Sequence, residues 1–313
     1  MMAAMAAVPS PLAMQAAALY LRAYLPPTRL VTMPGLPALK LECELPTGSF
    51  KPRGALFSLS RRLKMGPVRE VIASSTGNHG AAVAWAAKTL GVPATIFLPA
   101  HPNPVKRDNI RGLGARLVEV AAPDISGAAE AATEYARRDG VFYLNDASDP
   151  DVPAGTATIG LEMLDQMPDI EAVFVPMGDT ALIRGVAAAI KHRKPGVRIT
   201  GVQAERAPSY ALSWRAGHPI GTDRCDTSAG GLATRTPLPE NVTAIRMLVD
   251  DVRLVSEPAM LAAVRVLHAR AGVLAELSGA AAMAAFLQQP VSRAAALVTG
   301  ANIAPEIRSR AGL

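Results

Sequence analysis

The sequence predicts an α/β fold with mostly parallel sheets. Short apolar runs of strand length alternate with longer helical patterns, and 50% of the 313 residues are hydrophobic, enough to bury a large core. Val71-Ile72-Ala73 reads as a strand feeding a loop over 74–80, and residues 81–90 read as a helix ended by Gly91. Ala94-Thr95-Ile96-Phe97-Leu98 is a second strand, followed by a helix over 104–113. Leu117-Val118-Glu119-Val120 is a third strand, with a helix over 127–138. The pattern then recurs, with Ala172-Val173-Phe174-Val175 as a strand and 181–191 as a helix. Arg198-Ile199-Thr200-Gly201-Val202 is another strand, 259–270 and 279–287 are helices, and Ala295-Ala296-Leu297-Val298 closes the series as a buried strand.

Composition narrows the function classes. Cys43 and Cys225 have no metal-ligand spacing and form no disulfide framework, which points to a reducing cytoplasm. A net charge of +6 invites a nucleic-acid partner, but the basic clusters are short and aromatics make up only 4%, so solvated helix ends account for the charge and no nucleic-acid partner is expected. The longest apolar stretch, 271–287, is broken by Glu276 and two glycines, so no membrane span is expected. The Ala- and Met-rich stretch 1–18 lacks a basic start and contains Pro9 and Pro11, so it reads as a frayed arm or an over-called start, with Met5 or Met14 as alternatives.

The chemistry concentrates in a few segments. Pro46-Thr47-Gly48-Ser49-Phe50-Lys51-Pro52-Arg53-Gly54-Ala55 places a lysine after a tight turn, just where a helical pattern begins. Burial there can keep the amine unprotonated, and a neutral amine condenses with an aldehyde. Ser75-Thr76-Gly77-Asn78-His79 joins a strand to a helix, so its backbone N–H groups converge on an anion such as a carboxylate. Further downstream stand Pro150-Asp151-Val152-Pro153-Ala154-Gly155-Thr156 with Thr158-Ile159-Gly160-Leu161-Glu162, then Glu276-Leu277-Ser278-Gly279-Ala280 and Val298-Thr299-Gly300-Ala301-Asn302. Taken singly, Thr299-Gly300 also reads as a plain turn after a strand.

Together with Leu39-Lys40-Leu41-Glu42, these segments resemble the pyridoxal-phosphate (PLP) enzymes of the tryptophan synthase β-like family (fold type II), in the serine/threonine dehydratase, serine racemase and threonine synthase branch. The resemblance implies two three-layer α/β/α domains: a large one from 1–69 and 149–313, and a small one from 70–148 inserted into it. It implies Lys51 as the Schiff-base lysine and general base at Cα, and residues 75–79 as the seat of the substrate carboxylate. By the same resemblance, Asn78 serves the phenolic oxygen of PLP and Thr299 its pyridine nitrogen. Glu276 either lies near the cofactor ring or caps the helix that follows. Position 76 carries a serine in the racemases; Thr76, in its Thr-Gly-Asn context, is closer to the synthases. His79 reads as structural.

The phosphate segment departs from that pattern. Relatives present a run of glycines, whereas this chain has Gly178-Asp179-Thr180-Ala181-Leu182. Asp179 could cap the following helix and repel a phosphate. Alternatively it points away, with Thr180 donating its hydroxyl and Arg184 supplying positive charge. Relatives often hold a divalent cation after the strand at 198–202; here Gln203 and Ser209 stand at those positions, and no activating metal is expected. The reading is a cytoplasmic, homodimeric lyase that converts serine or threonine to a 2-oxo acid and ammonia, without an appended regulatory domain. The alternatives are β/γ-replacement, racemisation, or non-catalytic PLP or amino-acid binding.

Overall fold

The computed structural model describes residues 7–102, 104–122 and 124–313; Met5, an alternative start, lies outside them. The chain runs α1 (Pro11–Leu21), β1 (Leu30–Val31), β2 (Ala38–Leu41), α2 (Lys51–Met65), β3 (Glu70–Ser74), α3 (Asn78–Leu90), β4 (Ala94–Leu98) and α4 (Pro104–Gly112). It continues through β5 (Arg116–Glu119), α5 (Ile125–Tyr135), β6 (Val141–Tyr143), α6 (Val152–Gln166), β7 (Ala172–Pro176), α7 (Ala181–Arg193) and β8 (Arg198–Ala204). It ends with α8 (Ser209–Ala216), α9 (Pro239–Leu248), β9 (Asp251–Val255), α10 (Glu257–Ala271), α11 (Leu277–Gln288), β10 (Ala294–Val298) and α12 (Pro305–Arg310).

Two sheets result. The larger has the order β1-β2-β10-β7-β8-β9, all parallel except the β1–β2 edge pair. The smaller, β5-β4-β3-β6, is wholly parallel. Parallel strands need covered faces, and side chains alternate across a strand. Accordingly, Val173, Val175, Ile199 and Leu297 pack with α6 and α7 on one face of the large sheet, while Phe174, Val202, Ala296 and Val298 pack with α10 and α11 on the other. In the small sheet, Val71, Ala73, Ile96 and Leu98 face α3, and Ile72 and Phe97 face α5.

Segment 11–18 is not a frayed arm. Ser10 accepts the Ala13 N–H at the start of α1, and Met14, Ala17 and Leu21 are buried. Helix α3 begins at Asn78 rather than 81, which confines the loop after β3 to 75–77 and puts Asn78 and His79 in the helix's first turn. Helix α2 packs against both α3 and α6, and residues 52–60 are all buried.

A buried ion network holds the start of α2. Arg53 donates to Glu42 at 2.8 Å and to Glu162 at 2.6 Å; Lys40 donates to Glu162 at 2.6 Å, and Thr28 donates to Glu42 at 2.6 Å. Buried charges are tolerable only when every partner is present. This network fixes β2, α2 and α6 to one another, two residues from Lys51.

Candidate active site

The C-terminal ends of β3, β7 and β10 converge with the N-termini of α2, α3 and α7, the usual place for a ligand in open parallel sheets. Lys51 is the first residue of α2. The turn before it pairs with the segment after β10: the Phe50 N–H donates to the Thr299 carbonyl at 3.1 Å, and the Ala301 N–H donates to the Gly48 carbonyl at 2.9 Å. Gly48 has φ +67°, which favours glycine at that turn. Thr299 is buried beside it.

The Lys51 side chain is 21% exposed, and its ammonium forms an ion pair with Asp146. Burial pulls this amine down, but Asp146, with Asp179 and Glu276 behind it, outweighs burial and holds it above the ordinary lysine value. In the protein without cofactor, Lys51 is therefore a clamped ammonium, contrary to the expectation of an amine neutralised by burial. Burial opposes ionisation of Asp146 as well, yet His79 and Lys51 hold its carboxyl below the usual range. His79 Nδ1 lies 3.6 Å from that carboxylate, and His79 Nε2 lies 2.9 Å from the Leu144 carbonyl. His79 thus has an acidic partner that its sequence context did not reveal.

Asn78 is oriented from both ends. Its Nδ2 donates to Glu276 Oε1 at 2.7 Å, and its Oδ1 accepts from Asn302 Nδ2 at 2.7 Å. Glu276 Oε1 also accepts from Ser278 Oγ at 3.1 Å. Glu276 stands at the N-cap position of α11, where its carbonyl accepts the Ala280 N–H at 3.0 Å. A Cβ at Gly300 would collide with that carboxylate. Ser75 Oγ accepts the Gly77 N–H at 3.2 Å, Thr76 is half-buried in the same loop, and the space a Gly77 Cβ would occupy is open.

On the phosphate side, a Cβ at Gly178 would strike the Gly231 carbonyl. Asp179 does not cap α7. Its Oδ1 accepts from Thr234 Oγ1 at 3.1 Å, and burial, then Asp146, push its carboxyl up. Thr180 has φ +71°, a strained conformation for a β-branched residue, and its buried hydroxyl has no partner among the described residues. Ala181 opens α7, and its carbonyl accepts from Thr156 Oγ1 at 2.9 Å. Arg184 is committed elsewhere. It donates to the Ala7 carbonyl at 2.9 Å and the Ala147 carbonyl at 3.2 Å, and burial brings it down to about 10. Gln203 Oε1 accepts the Ala211 N–H and Ser209 Oγ donates to the Thr234 carbonyl, so both side chains brace the fold behind this loop.

These residues fit a carbonyl cofactor with an anionic tail. Lys51 supplies the amine, and the Thr180 hydroxyl is an unspent donor at the start of α7, where an anion is favoured. Asp146 is the residue that sequence reasoning missed. It follows β6, a three-residue half-buried strand without a recognisable pattern, so its loop was never placed near Lys51.

Comparison with known proteins agrees with this geometry. Residues 21–300 match the family model described as pyridoxal-phosphate dependent enzyme. An L-threonine ammonia-lyase of Thermotoga maritima is 36% identical over 268 residues, which are 85% of this chain and 67% of that protein. The chain thus spans about two thirds of that relative's length. Among solved structures, the processed form of threonine deaminase isoform 2 from Solanum lycopersicum matches with TM-score 0.87 at 28% identity, over 97% of this chain and 94% of that one. Maize serine racemase matches with TM-score 0.88 at 27% identity, over 96% and 95%. From the two parallel sheets, the lysine between them and these matches together, the chain belongs to the fold-type II family of pyridoxal-phosphate dependent enzymes.

Proposed function

We propose that this protein is an ammonia-lyase that converts a small hydroxy amino acid, serine or threonine, to a 2-oxo acid and ammonia. The observation that carries this reading is Lys51, an amine at the head of α2 facing the ends of three parallel strands. Bound there, PLP supplies the electron withdrawal that acidifies the substrate Cα–H. Lys51 would hold the cofactor and would serve as the base for the Cα proton, and its ammonium as the acid for the leaving β-hydroxyl. The N–H groups of 75–79 seat the substrate carboxylate. Asn78, held by Asn302 and Glu276, would serve the cofactor's ring oxygen, and Thr299 its ring nitrogen, with Glu276 near the ring. Gly178, Asp179, Thr180 and Ala181 form the phosphate loop, with Thr180 as its side-chain donor.

The test is reduction with borohydride followed by peptide mapping, together with a 2-oxo acid assay on serine and threonine. Cofactor absent from Lys51, or no 2-oxo acid from any hydroxy amino acid, rejects the reading. Thr76 in its Thr-Gly-Asn context supports a second reading, β/γ-replacement. A new amino acid formed from O-phosphohomoserine, instead of a 2-oxo acid, would establish it. A homodimer in the cytoplasm and a small domain over 70–148 complete the proposal. Among the described residues no helix is long and apolar enough to cross a membrane.

A further inference from the structure

Asp146 sits on the loop between β6 and α6, and that loop is held from several sides. His79 Nε2 lies 2.9 Å from the Leu144 carbonyl, and Asn145 Oδ1 accepts the Ala147 N–H at 3.0 Å. The Ala147 carbonyl accepts from Arg184 at 3.2 Å and from Asn241 Nδ2 at 3.0 Å. Asn241 Nδ2 also lies 3.4 Å from the Asp179 carbonyl, tying this loop to the phosphate loop. The carboxylate is therefore fixed against Lys51 Nζ, with His79 Nδ1 3.6 Å from the same oxygen, Oδ2.

We propose that Asp146 is the positioning residue of Lys51: its carboxylate clamps Nζ as an ammonium where the cofactor carbonyl must arrive, and so governs when the amine is free to react. The proposal rests on Lys51 being the cofactor-binding lysine. Condensation needs the unprotonated amine. A C=N bond forms while the carbonyl oxygen leaves as water with the two remaining N–H hydrogens, and the third proton of the ammonium has to go to solvent first. Asp146 opposes that loss, so it slows loading at low pH. During turnover the same field is useful, because it raises the proton affinity of Lys51 as a base and stabilises the ammonium it becomes.

The other groups facing this pair are Asp179 and Glu276, which add to the field on Lys51, and His79 and Arg184, which face Asp146. The Tyr143 phenol also feels Asp146. Asp179 is bonded to Thr234 and Glu276 to Asn78 and Ser278, so Asp146 is the acid in direct contact with the amine.

The test uses the full-length chain dialysed free of cofactor. Two rates are followed from neutral to alkaline pH: loading of PLP by absorbance, and acetylation of each lysine by acetic anhydride, mapped by mass spectrometry. In wild type, Lys51 should acetylate with a midpoint above that of the exposed Lys88. Asp146→Asn should lower the Lys51 midpoint by at least about one pH unit, so that loading at neutral pH becomes about tenfold faster. Asp146→Glu should restore the wild-type profile, which a merely structural role would not do. Equal midpoints for Lys51 and Lys88 in wild type overturn the proposal even if the variants fail to fold. Identical profiles for wild type and Asp146→Asn overturn it too. Borohydride trapping of PLP on another lysine overturns the function reading itself, and is recognisable as that separate failure.

Discussion

Lys40 and Lys51 are both lysines beside buried acids, yet their environments differ in kind. Lys40 is fully buried in β2, and its three N–H bonds go to the Thr28 carbonyl at 2.8 Å, Glu162 at 2.6 Å and Gln166 at 3.0 Å. An ammonium has three donors, so this amine has nothing left to offer. Burial holds it below the ordinary lysine value despite Glu42 and Glu162. Lys51 is partly exposed, pairs directly with one acid among the described residues, Asp146, and is held above the ordinary value. Burial of a lysine is therefore a poor guide to function. A closed set of partners marks a structural amine, and an exchangeable partner at a cleft marks a reactive one.

Substitution separates the two. Lys51→Ala should abolish borohydride-trapped cofactor and lower turnover by about 10²–10⁴-fold, the range for losing a general acid–base group, with a smaller loss of stability than Lys40→Ala because the Lys51 side chain is 21% exposed. Lys40→Ala should do the reverse. It leaves Glu162 with one cation fewer inside the network, a change that typically costs about 3–5 kcal/mol, while the molecules that fold still trap cofactor on Lys51. Equal loss of stability in both variants would erase the distinction.

A smaller effect sharpens the contrast between the lysine side and the phosphate side. Asp179 is pushed up by burial and by Asp146, so it keeps its proton to higher pH than an ordinary carboxyl. A phosphate tail binds best while Asp179 is protonated, and affinity should fall as pH rises through that raised value. Asp179→Asn should flatten this dependence and bind PLP about tenfold more tightly at the alkaline end, measured by fluorescence titration. An unchanged pH profile would mean that the carboxylate, turned to Thr234, is too far from the phosphate to matter.

What the sequence disclosed follows the same division. Loops with special backbone demands were legible: the turn before Lys51 needs Gly48, and the 75–77 loop opens α3. Apolar parallel strands such as β4 and β7 were legible from their runs. The short β2 and β9 were not, because Lys40 in β2 and Asp251 and Arg253 in β9 break the apolar pattern; Lys40 finds its partner in Glu162, and Arg253 pairs with Asp251 in its own strand and reaches the Ala285 and Gln289 carbonyls. Helix α1 was obscured by its Ala-rich composition and flanking prolines, although Pro11 suits a helix's first turn. Asp146 and the Arg53 network depend on side chains about a hundred positions apart, which no local pattern encodes. Arg184 lies one turn from Thr180 as its spacing required, but its guanidinium reaches carbonyls on the Ala7 and Ala147 segments.

The smallest effect is expected at Thr180, where two opposing terms meet. A threonine at φ +71° is strained by about 1–2 kcal/mol relative to glycine, and its buried hydroxyl is unpaired. Thr180→Gly should relieve both, less about 0.5–1 kcal/mol for the greater freedom of glycine when unfolded, so the cofactor-free chain should gain about 1 kcal/mol in chemical denaturation. If the hydroxyl is kept for the phosphate, the same variant should hold PLP more weakly, by about tenfold for a hydrogen bond to a charged group. Thr180→Ser should keep most of the wild-type affinity. A glycine variant that is both more stable and equally tight would show that the strain at this position serves no ligand, leaving the backbone N–H groups of α7 as the whole phosphate site.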